Sequence, residues 1–188
     1  MSLKNMVLMV GQMLFNYRYT DSEQKQLLKS LVILVDTREQ NSSHITGYFN
    51  SKGISFMSCK LDSFDYSVMI PANPELGIVR DLYFDKQIGI ERKANLEELS
   101  GNFTQCRERF EREFERVPQV RKYLLIEGGS YSDIFASNYS TKLNSTAFAA
   151  SLMTFQCRFG LNVSFVPKEH SGKFIYGIMH YFVREQLQ

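Results

Sequence analysis

The segment 88–93 is a short apolar run that ends in three charged residues, Glu91, Arg92 and Lys93. Successive side chains of a β-strand point to opposite faces, so Glu91 and Lys93 would share one face and Arg92 would take the other. The carboxylate could hold a hard cation, and the ammonium beside it could contact a phosphate or an attacking water. The pattern indicates phosphodiester chemistry, although three residues alone are a weak signal.

Further acids stand where other strands are expected to begin or end. Asp36 follows the β-branched run 31–35, Asp65 lies in the alternating run 64–70, and Glu97 follows on a short helix. Cutting a phosphodiester needs a Lewis acid, a positioned water and charge stabilisation, and Mg²⁺ usually takes one or two carboxylates. An Asp on a hairpin strand, followed on the next strand by Glu-x-Lys, is the arrangement of restriction-enzyme-like nucleases.

Hydrophobic periodicity predicts the elements that position these residues. The predicted strands are 31–35, 54–61, 64–70, 82–84, 88–93, 123–127 and 163–166. The predicted helices are 24–29 after the capping box 20–23, 45–53, 95–99 with a stop at 100–102, 103–117, 145–159 and 171–188. Strands and helices in this order predict an α/β fold with a central mixed sheet flanked by helices. We expect an N-terminal extension, 1–30, and one domain, 31–188.

Composition limits the classes of protein that remain. The 188 residues are 44% hydrophobic, with 15 Phe and 10 Tyr, which favours an ordered globule. The net charge is only +2, so a nucleic-acid contact would need a local basic patch. The three cysteines lack zinc-ligand spacing and form no disulfide framework, which indicates a reduced, cytoplasmic protein. The apolar run 6–15 is far shorter than the ~20 residues that span a bilayer, so we expect no membrane contact.

Four motifs carry a resemblance to a known family. They are Asp36-Thr37-Arg38-Glu39, Phe64-Asp65-Tyr66, Glu91-Arg92-Lys93 with Glu97 beyond it, and Leu124-Leu125-Ile126-Glu127. In this order they resemble the nuclease domain of the XPF family, over about half of the chain. The resemblance implies a restriction-endonuclease-like fold and a metal-dependent endonuclease for branched, flapped or junction DNA in recombination, repair or replication. It also implies a homodimer or a partner protein as options, and small stand-alone members occur in bacteriophages and prophages.

The resemblance assigns roles at matching positions. Asp65 and Glu91 would bind Mg²⁺ or Mn²⁺, and Lys93 would orient or activate the water, or hold the scissile phosphate. Asp36 would support the metal site, and Glu97 would take the place of the family's last acid, an Asp.

Four arginines are candidate DNA contacts. Arg38 could bind a phosphate with two hydrogen bonds, and Arg92 would have a structural or phosphate-backbone role. Arg107 and Arg109 lie nearest the site in sequence and are the preferred phosphate contacts on the next helix. The chain departs from the family motif at Phe64, which stands where Gly is usual.

Simpler interpretations exist for each motif. Glu91 and Lys93 could be a surface pair, and Asp36 could only cap the following turn. Helix 103–117 could be a solvated face with pairs such as Glu108–Arg112 and Arg109–Glu113, its phenylalanines being core residues. The alternative function is a DNA-binding or scaffold module without cleavage, which the retained acids and Lys93 make the weaker hypothesis.

Overall fold

The computed structural model describes residues 18–188, so most of the predicted N-terminal extension lies outside the described residues. The helices are α1 (Asp21–Lys29), α2 (Ser43–Lys52), α3 (Leu96–Phe103), α4 (Arg107–Glu115), α5 (Tyr131–Phe135), α6 (Ser145–Phe159) and α7 (Ser171–Gln186). The strands are β1 (Val32–Asp36), β2 (Ser55–Cys59), β3 (Tyr66–Ile70), β4 (Leu82–Tyr83), β5 (Ile88–Lys93), β6 (Arg121–Glu127) and β7 (Leu161–Val166). Short 3₁₀ turns cover Pro74–Leu76 and Lys168–His170.

All seven strands form one mixed sheet, in the order β2-β1-β3-β5-β6-β7, with β4 paired to β3. The pairs β1–β2, β5–β6 and β6–β7 are parallel, whereas β3 runs antiparallel to β1, β4 and β5. The carboxyl ends of β1, β5 and β6 therefore meet at one edge of the sheet, beside the start of β3. This architecture confirms the predicted fold class.

Helices cover both faces of the sheet, as the alternation of apolar side chains requires. On one face of the sheet, α1, α2 and α7 pack against the strands. The core layer between them includes Leu27, Ile33, Phe49, Ile90, Leu125 and Met179. The other packs α3, α4 and α6 and includes Leu99, Phe110, Leu124, Ile126, Phe148 and Phe155. Neighbouring residues of β5 and β6 belong to opposite layers, so each strand end presents side chains to two different environments.

Several helices begin or end at the capping residues that the sequence predicts. Thr20 accepts a hydrogen bond from the backbone N–H of Glu23, whose carboxylate accepts one from Thr20 N at 2.7 Å, which is a capping box. Gly53 and Gly160 end α2 and α6 with φ values of 63° and 65°. Glycine adopts this left-handed conformation without a steric penalty.

The predicted boundary between α3 and α4 is wrong. The chain does not stop at 100–102 but stays helical through Phe103, because Leu96, Leu99 and Phe103 form one buried stripe against the core. The break comes later, where the Thr104 hydroxyl donates to the carbonyl of Ser100 at 2.9 Å. Burial of Phe103 thus outweighs the helix-breaking tendency of the Ser-Gly-Asn segment.

Candidate active site

The end of β5 presents opposite charges on opposite faces, as the alternation of a strand predicts. The Nζ of Lys93 lies 2.7 Å from Oε1 of Glu91 on one face. Arg92 points to the other face and pairs with Glu39 and Glu127. The two faces have different surroundings.

Beside Glu91 and Lys93 lies a cavity of about 350 Å³, here called the charged cavity. Its acids are Asp62, Asp65, Glu91 and Glu113, and its bases are Arg38, Lys93, Arg109 and Arg116. They come from the β1 end, the segment that leads into β3, the β5 end and α4 with the residue after it, so the topology of the sheet is what brings them together. A site of this composition can bind a cation and an anion side by side.

Asp65 is held in place by the backbone on both sides of β3. Its N–H donates to the carbonyl of Ile90 at 3.0 Å, and its carbonyl accepts from the N–H of Asp36 at 2.8 Å. Its side-chain Oδ2 accepts from the N–H of Arg92 at 2.7 Å. Burial and, second, the carboxylate of Glu91 raise the pKa of Asp65 well above its usual range. Two carboxylates in this position favour either a proton or a cation between them.

Lys93 is only 6% exposed, and its ammonium faces several carboxylates. Burial acts to lower the pKa of Lys93, but Glu91 and then Asp65 outweigh it, and the net shift is upward. The protonated ammonium is therefore the favoured form of the side chain at neutral pH. Of the predicted roles, this charge state favours holding a phosphate or orienting a water.

Phe64 forms part of the floor of the charged cavity in a strained conformation. Its φ is 68°, in the left-handed region that a bulky side chain rarely adopts. A Cβ on Gly89 would lie 2.1 Å from an atom of the Phe64 ring, so the ring covers the space that a side chain at Gly89 would need. The absence of a side chain at Gly89 thus accommodates the ring of Phe64, which is 6% exposed.

Asp36 lies next to the charged cavity but its carboxylate is used within the fold. It accepts from Arg38 N and Nε at 2.7 Å each, from Arg38 Nη2 at 3.1 Å, and from Leu61 N at 2.7 Å. Burial would raise the pKa of Asp36, but these bonds from Arg38 hold it below its ordinary value. The Arg38 side chain is 66% exposed and lines the cavity. Asp36 therefore fixes the direction of Arg38.

Glu97 points away from the charged cavity. Its Oε1 accepts from the backbone N of Ser140 at 2.9 Å and from the Ser140 hydroxyl at 3.0 Å. The next residue, Glu98, approaches the site instead, with Oε1 at 3.7 Å from Lys93 Nζ. Helical spacing places two successive side chains about 100° apart, so a motif match at one position does not decide which acid reaches the site.

The two preferred arginines of α4 lie in different surroundings. Arg107 bonds to Glu111 at 3.0 Å and to the hydroxyl of Ser151 on α6 at 3.2 Å, which ties α4 to α6. Arg109 faces the charged cavity, as does Arg116 two turns later. Arg116 and Glu113 are not among the candidates that the sequence motifs predict, although a 3.6-residue period from Arg109 places both on the same helix face.

The other face of the β5 end is a buried ionic network. Arg92, 6% exposed, donates through Nη1 to Glu39 at 2.9 Å and through Nη2 to Glu127 at 2.7 Å. His44 Nε2 lies 2.6 Å from the other oxygen of Glu127. Burial would raise the pKa of Glu127, but hydrogen bonds from Arg92 and then His44 lower it. The network links β1, α2, β5 and β6, and it encloses the guanidinium of Arg92.

Comparison with known proteins identifies the family. The model of the ERCC4 domain matches residues 35–178, which is most of the chain. This chain belongs to the ERCC4 domain family. No curated protein sequence matches it.

Two similar solved structures share the fold of this ERCC4 domain. XPF from Aeropyrum pernix has a TM-score of 0.58 and 16% identity, covering 81% of this chain and 65% of its own. XPF from Aeropyrum pernix in complex with DNA has a TM-score of 0.57 and 15% identity, covering 84% of this chain and 67% of its own. This chain thus spans about two thirds of the length of those archaeal chains. Within residues 18–188, no helix is both long and apolar enough to span a bilayer.

The ERCC4 domain has a donor set that suits one hard cation. Among the described residues, no group of three or more His, Cys, Asp or Glu side chains is arranged to hold a metal ion. Mg²⁺ and similar ions need fewer, because they use one or two carboxylates with waters and substrate oxygens. Asp65 and Glu91 supply two, and since burial and then Glu91 raise the pKa of Asp65, a cation bound there would favour its charged form. The residues present fit such an ion.

The contacts of His44 and Glu39 are further features of the site region that the sequence did not reveal. His44 meets Glu127 across 83 residues of chain, and Glu39 meets Arg92 across 53. No local spacing encodes such a contact. Only the parallel pairing of β5 with β6, and the placement of β1 beside β3, brings these side chains together.

Proposed function

We propose that this ERCC4 domain is a Mg²⁺- or Mn²⁺-dependent, structure-selective DNA endonuclease that hydrolyses phosphodiester bonds in branched, flapped or junction DNA. The observation that carries this proposal is the grouping of Asp65, Glu91 and protonated Lys93 in one cavity with three arginines. The family supports a nuclease-related activity, and the structure of the archaeal XPF in complex with DNA supports DNA as the ligand.

Asp65 and Glu91 are the residues that would hold the metal ion. A bound divalent ion supplies Lewis-acid activation of water and of the phosphate at neutral pH. Lys93, fixed on the same strand face, places a permanent positive charge beside them. It would stabilise the negative charge that grows on the phosphate oxygens during cleavage.

The arginines of the charged cavity would position the DNA backbone. Arg38, whose direction Asp36 fixes, lines the cavity together with Arg109 on α4 and Arg116 just after the end of α4. Arg92 is enclosed and acts instead as a positioning residue, because its backbone N–H fixes the carboxylate of Asp65. We also propose action during recombination, repair or replication, alone or as a homodimer, from the family resemblance.

The proposal is tested with linear, flapped, forked and four-way DNA, each incubated with Mg²⁺ or Mn²⁺. Lys93→Ala and Asp65→Asn are expected to lower cleavage by about 10²–10³-fold or more, since removal of one charge-stabilising group has that size of effect. DNA affinity should change by only a few-fold, because the three arginines remain. Lys52→Ala, an exposed lysine at the end of α2, is the matched control and should cleave normally.

A different result would support the alternative function. If the wild-type chain binds branched DNA tightly and cuts none of the four substrates with either metal, it is a DNA-binding or scaffold module. Equal cleavage by wild type and Lys93→Ala would place the chemistry elsewhere on the molecule.

A further inference from the structure

A second cavity, also of about 350 Å³, adjoins the charged cavity at the Asp65 and Lys93 side chains. It shares Arg38, Asp65 and Lys93 with the charged cavity, so a ligand that reaches the shared residues can extend into both. Its outer wall is the loop between β1 and α2, which carries Gln40 and Asn41. We call it the amide cavity.

The charge balance of the amide cavity disfavours a second phosphate. The charge of Arg92 is matched by Glu39 and Glu127, and that of Lys93 by Glu91. Glu98 also lines this cavity and is exposed, so its carboxylate would repel a phosphate there. Only Arg38, at the boundary with the charged cavity, presents an exposed guanidinium. The exposed guanidinium groups of Arg109 and Arg116 therefore belong to the charged cavity alone, and among the described residues nothing comparable, apart from Arg38, lines the amide cavity.

The loop of the amide cavity offers hydrogen-bonding groups that the fold does not use. Gln40 and Asn41 are both exposed, and within residues 18–188 neither side-chain amide has a hydrogen-bond partner. Asn41 has a φ of 58°, a conformation that Asn tolerates better than most residues. Side-chain amides carry a donor and an acceptor together, and Asn and Gln pair with the edges of nucleobases in this way.

We propose that the amide cavity receives the base and sugar of the nucleotide next to the scissile phosphate, with Gln40 and Asn41 bonding to the base edge. The proposal rests on the proposed function and adds a recognition subsite to it. The phosphates lie in the charged cavity against the arginines. The uncharged base and sugar of the neighbouring nucleotide lie in the amide cavity, past Arg38 and Lys93. There the carboxylate of Glu98 accepts hydrogen bonds from the amino groups of the base.

The experiment uses one flapped DNA of fixed shape, in which a single abasic site is moved nucleotide by nucleotide past the cleavage position. In wild type, loss of the base at one position beside the scissile phosphate should lower kcat/KM about tenfold, the size of one base contact. The double variant Gln40→Ala/Asn41→Gly should cut intact DNA about tenfold more slowly and lose its response to the abasic site. Glycine at position 41 keeps the positive φ, so the loop conformation is retained.

A second measurement separates this subsite from catalysis. The same DNA series is titrated by fluorescence anisotropy against Asp65→Asn, with and without the double substitution, so that affinity is measured without cutting. Gln119→Ala, an exposed glutamine outside both cavities, is the control and should keep the full abasic response.

The outcomes distinguish the two proposals. Cleavage with a flat abasic profile, or an equal abasic penalty in wild type and the double variant, overturns the subsite and leaves the nuclease intact. An abasic penalty in binding without any cleavage keeps the subsite and overturns the nuclease. Absence of DNA binding overturns both.

Discussion

The two faces of the β5 end carry similar side chains and differ in how their charges are balanced. We call the face with the buried ionic network of Arg92 the closed side, and the face of Glu91 and Lys93 at the charged cavity the open side. On the closed side, Arg92 pairs with Glu39 and Glu127, and His44 also contacts Glu127. On the open side, Lys93 faces Glu91, Asp65 and Glu98, and exposed arginines also line the cavity. On the closed side the carboxylates are held by hydrogen bonds from Arg92 within the fold, whereas on the open side the carboxylates of Asp65 and Glu91 line a cavity where a cation could reach them.

The pKa directions follow this difference. On the closed side, hydrogen bonds outweigh burial and lower the pKa of Glu127. On the open side, burial and Glu91 raise the pKa of Asp65. Glu39 departs from the pattern, since burial exceeds the attraction of Arg92 and raises its pKa. Glu127 also has a second partner, His44, and its contact with Arg92 is 2.7 Å long against 2.9 Å for that of Glu39.

The largest effect is expected from removal of the central charge of the closed side. Arg92→Leu leaves Glu39 and Glu127 buried without their cation, which typically costs about 3–5 kcal/mol. Arg109→Leu on the open side should change the free energy of unfolding by less than about 0.5 kcal/mol, because Arg109 is exposed. Urea denaturation of the two variants measures the difference. Equal destabilisation would mean that the two sides do not differ in this way.

A second large effect on stability is expected where Gly89 packs against the ring of Phe64, which lines the charged cavity. Gly89→Ala directs a methyl group into the ring of Phe64, and overpacking of this kind costs about 1–3 kcal/mol. The cost should shrink in a Phe64→Ala background, where the space is free, and a double-mutant cycle measures this coupling. Gly47→Ala is the control, because nothing lies within 4 Å of its Cβ position and Ala favours helix α2. Additive effects of Gly89→Ala and Phe64→Ala would contradict the packing described.

These residues also show what could be predicted from the sequence. The run 88–93 and its charged end fixed the strand, its two faces and the partnership of Glu91 with Lys93, because these depend on neighbours in the chain. The carboxyl-end positions of Asp36 and Glu127 likewise follow from single apolar runs.

Other features depend on contacts between distant elements, which a pattern of spacing does not contain. Phe103 was predicted in the wrong helix because its burial under α6 is tertiary information. Neither the enclosure of Arg92 nor the use of Glu97 by Ser140 has a local signal. Helix α5 was missed, although Ser130 caps it by accepting from Asp133 N at 3.1 Å.

A smaller effect, with the opposite sign, is expected from Asp65→Asn. In metal-free buffer at neutral pH the substitution removes a crowded carboxylate and keeps an acceptor for the N–H of Arg92. The melting temperature should therefore rise by roughly 2–4 °C, which corresponds to about 1 kcal/mol in a domain of this size. A saturating divalent ion should reverse the order, since only wild type gains the full binding energy. A lower melting temperature in metal-free buffer would contradict the raised pKa of Asp65.

The stability gained by Asp65→Asn in metal-free buffer should depend on pH, and this dependence distinguishes the open side from the closed side. The folded pKa of Asp65 lies above its unfolded value, so its favourable contribution is present at acid pH and is lost as the pH rises through the folded pKa. The advantage of Asp65→Asn should therefore grow from acid to neutral pH. The folded pKa of Glu127 is lowered, so its charged form stabilises the fold at pH values above its unfolded pKa, and this stabilisation is lost as the pH falls through the folded pKa. The loss in free energy of unfolding caused by Glu127→Gln should therefore become smaller as the pH falls.

The smallest effects separate two arginines on the same helix. Arg107→Ala removes the contacts with Glu111 and Ser151, so it should lower stability by roughly 0.5–1 kcal/mol and leave DNA affinity unchanged. Arg109→Ala should leave stability unchanged, weaken binding to all DNA sequences about equally, and reduce the slope of log affinity against log salt by about 1. Thermal melts and salt-dependent anisotropy measure both quantities for each variant. If Arg107→Ala reduces the salt slope as much as Arg109→Ala does, both arginines contact phosphate and α4 faces DNA with a wider surface than the charged cavity.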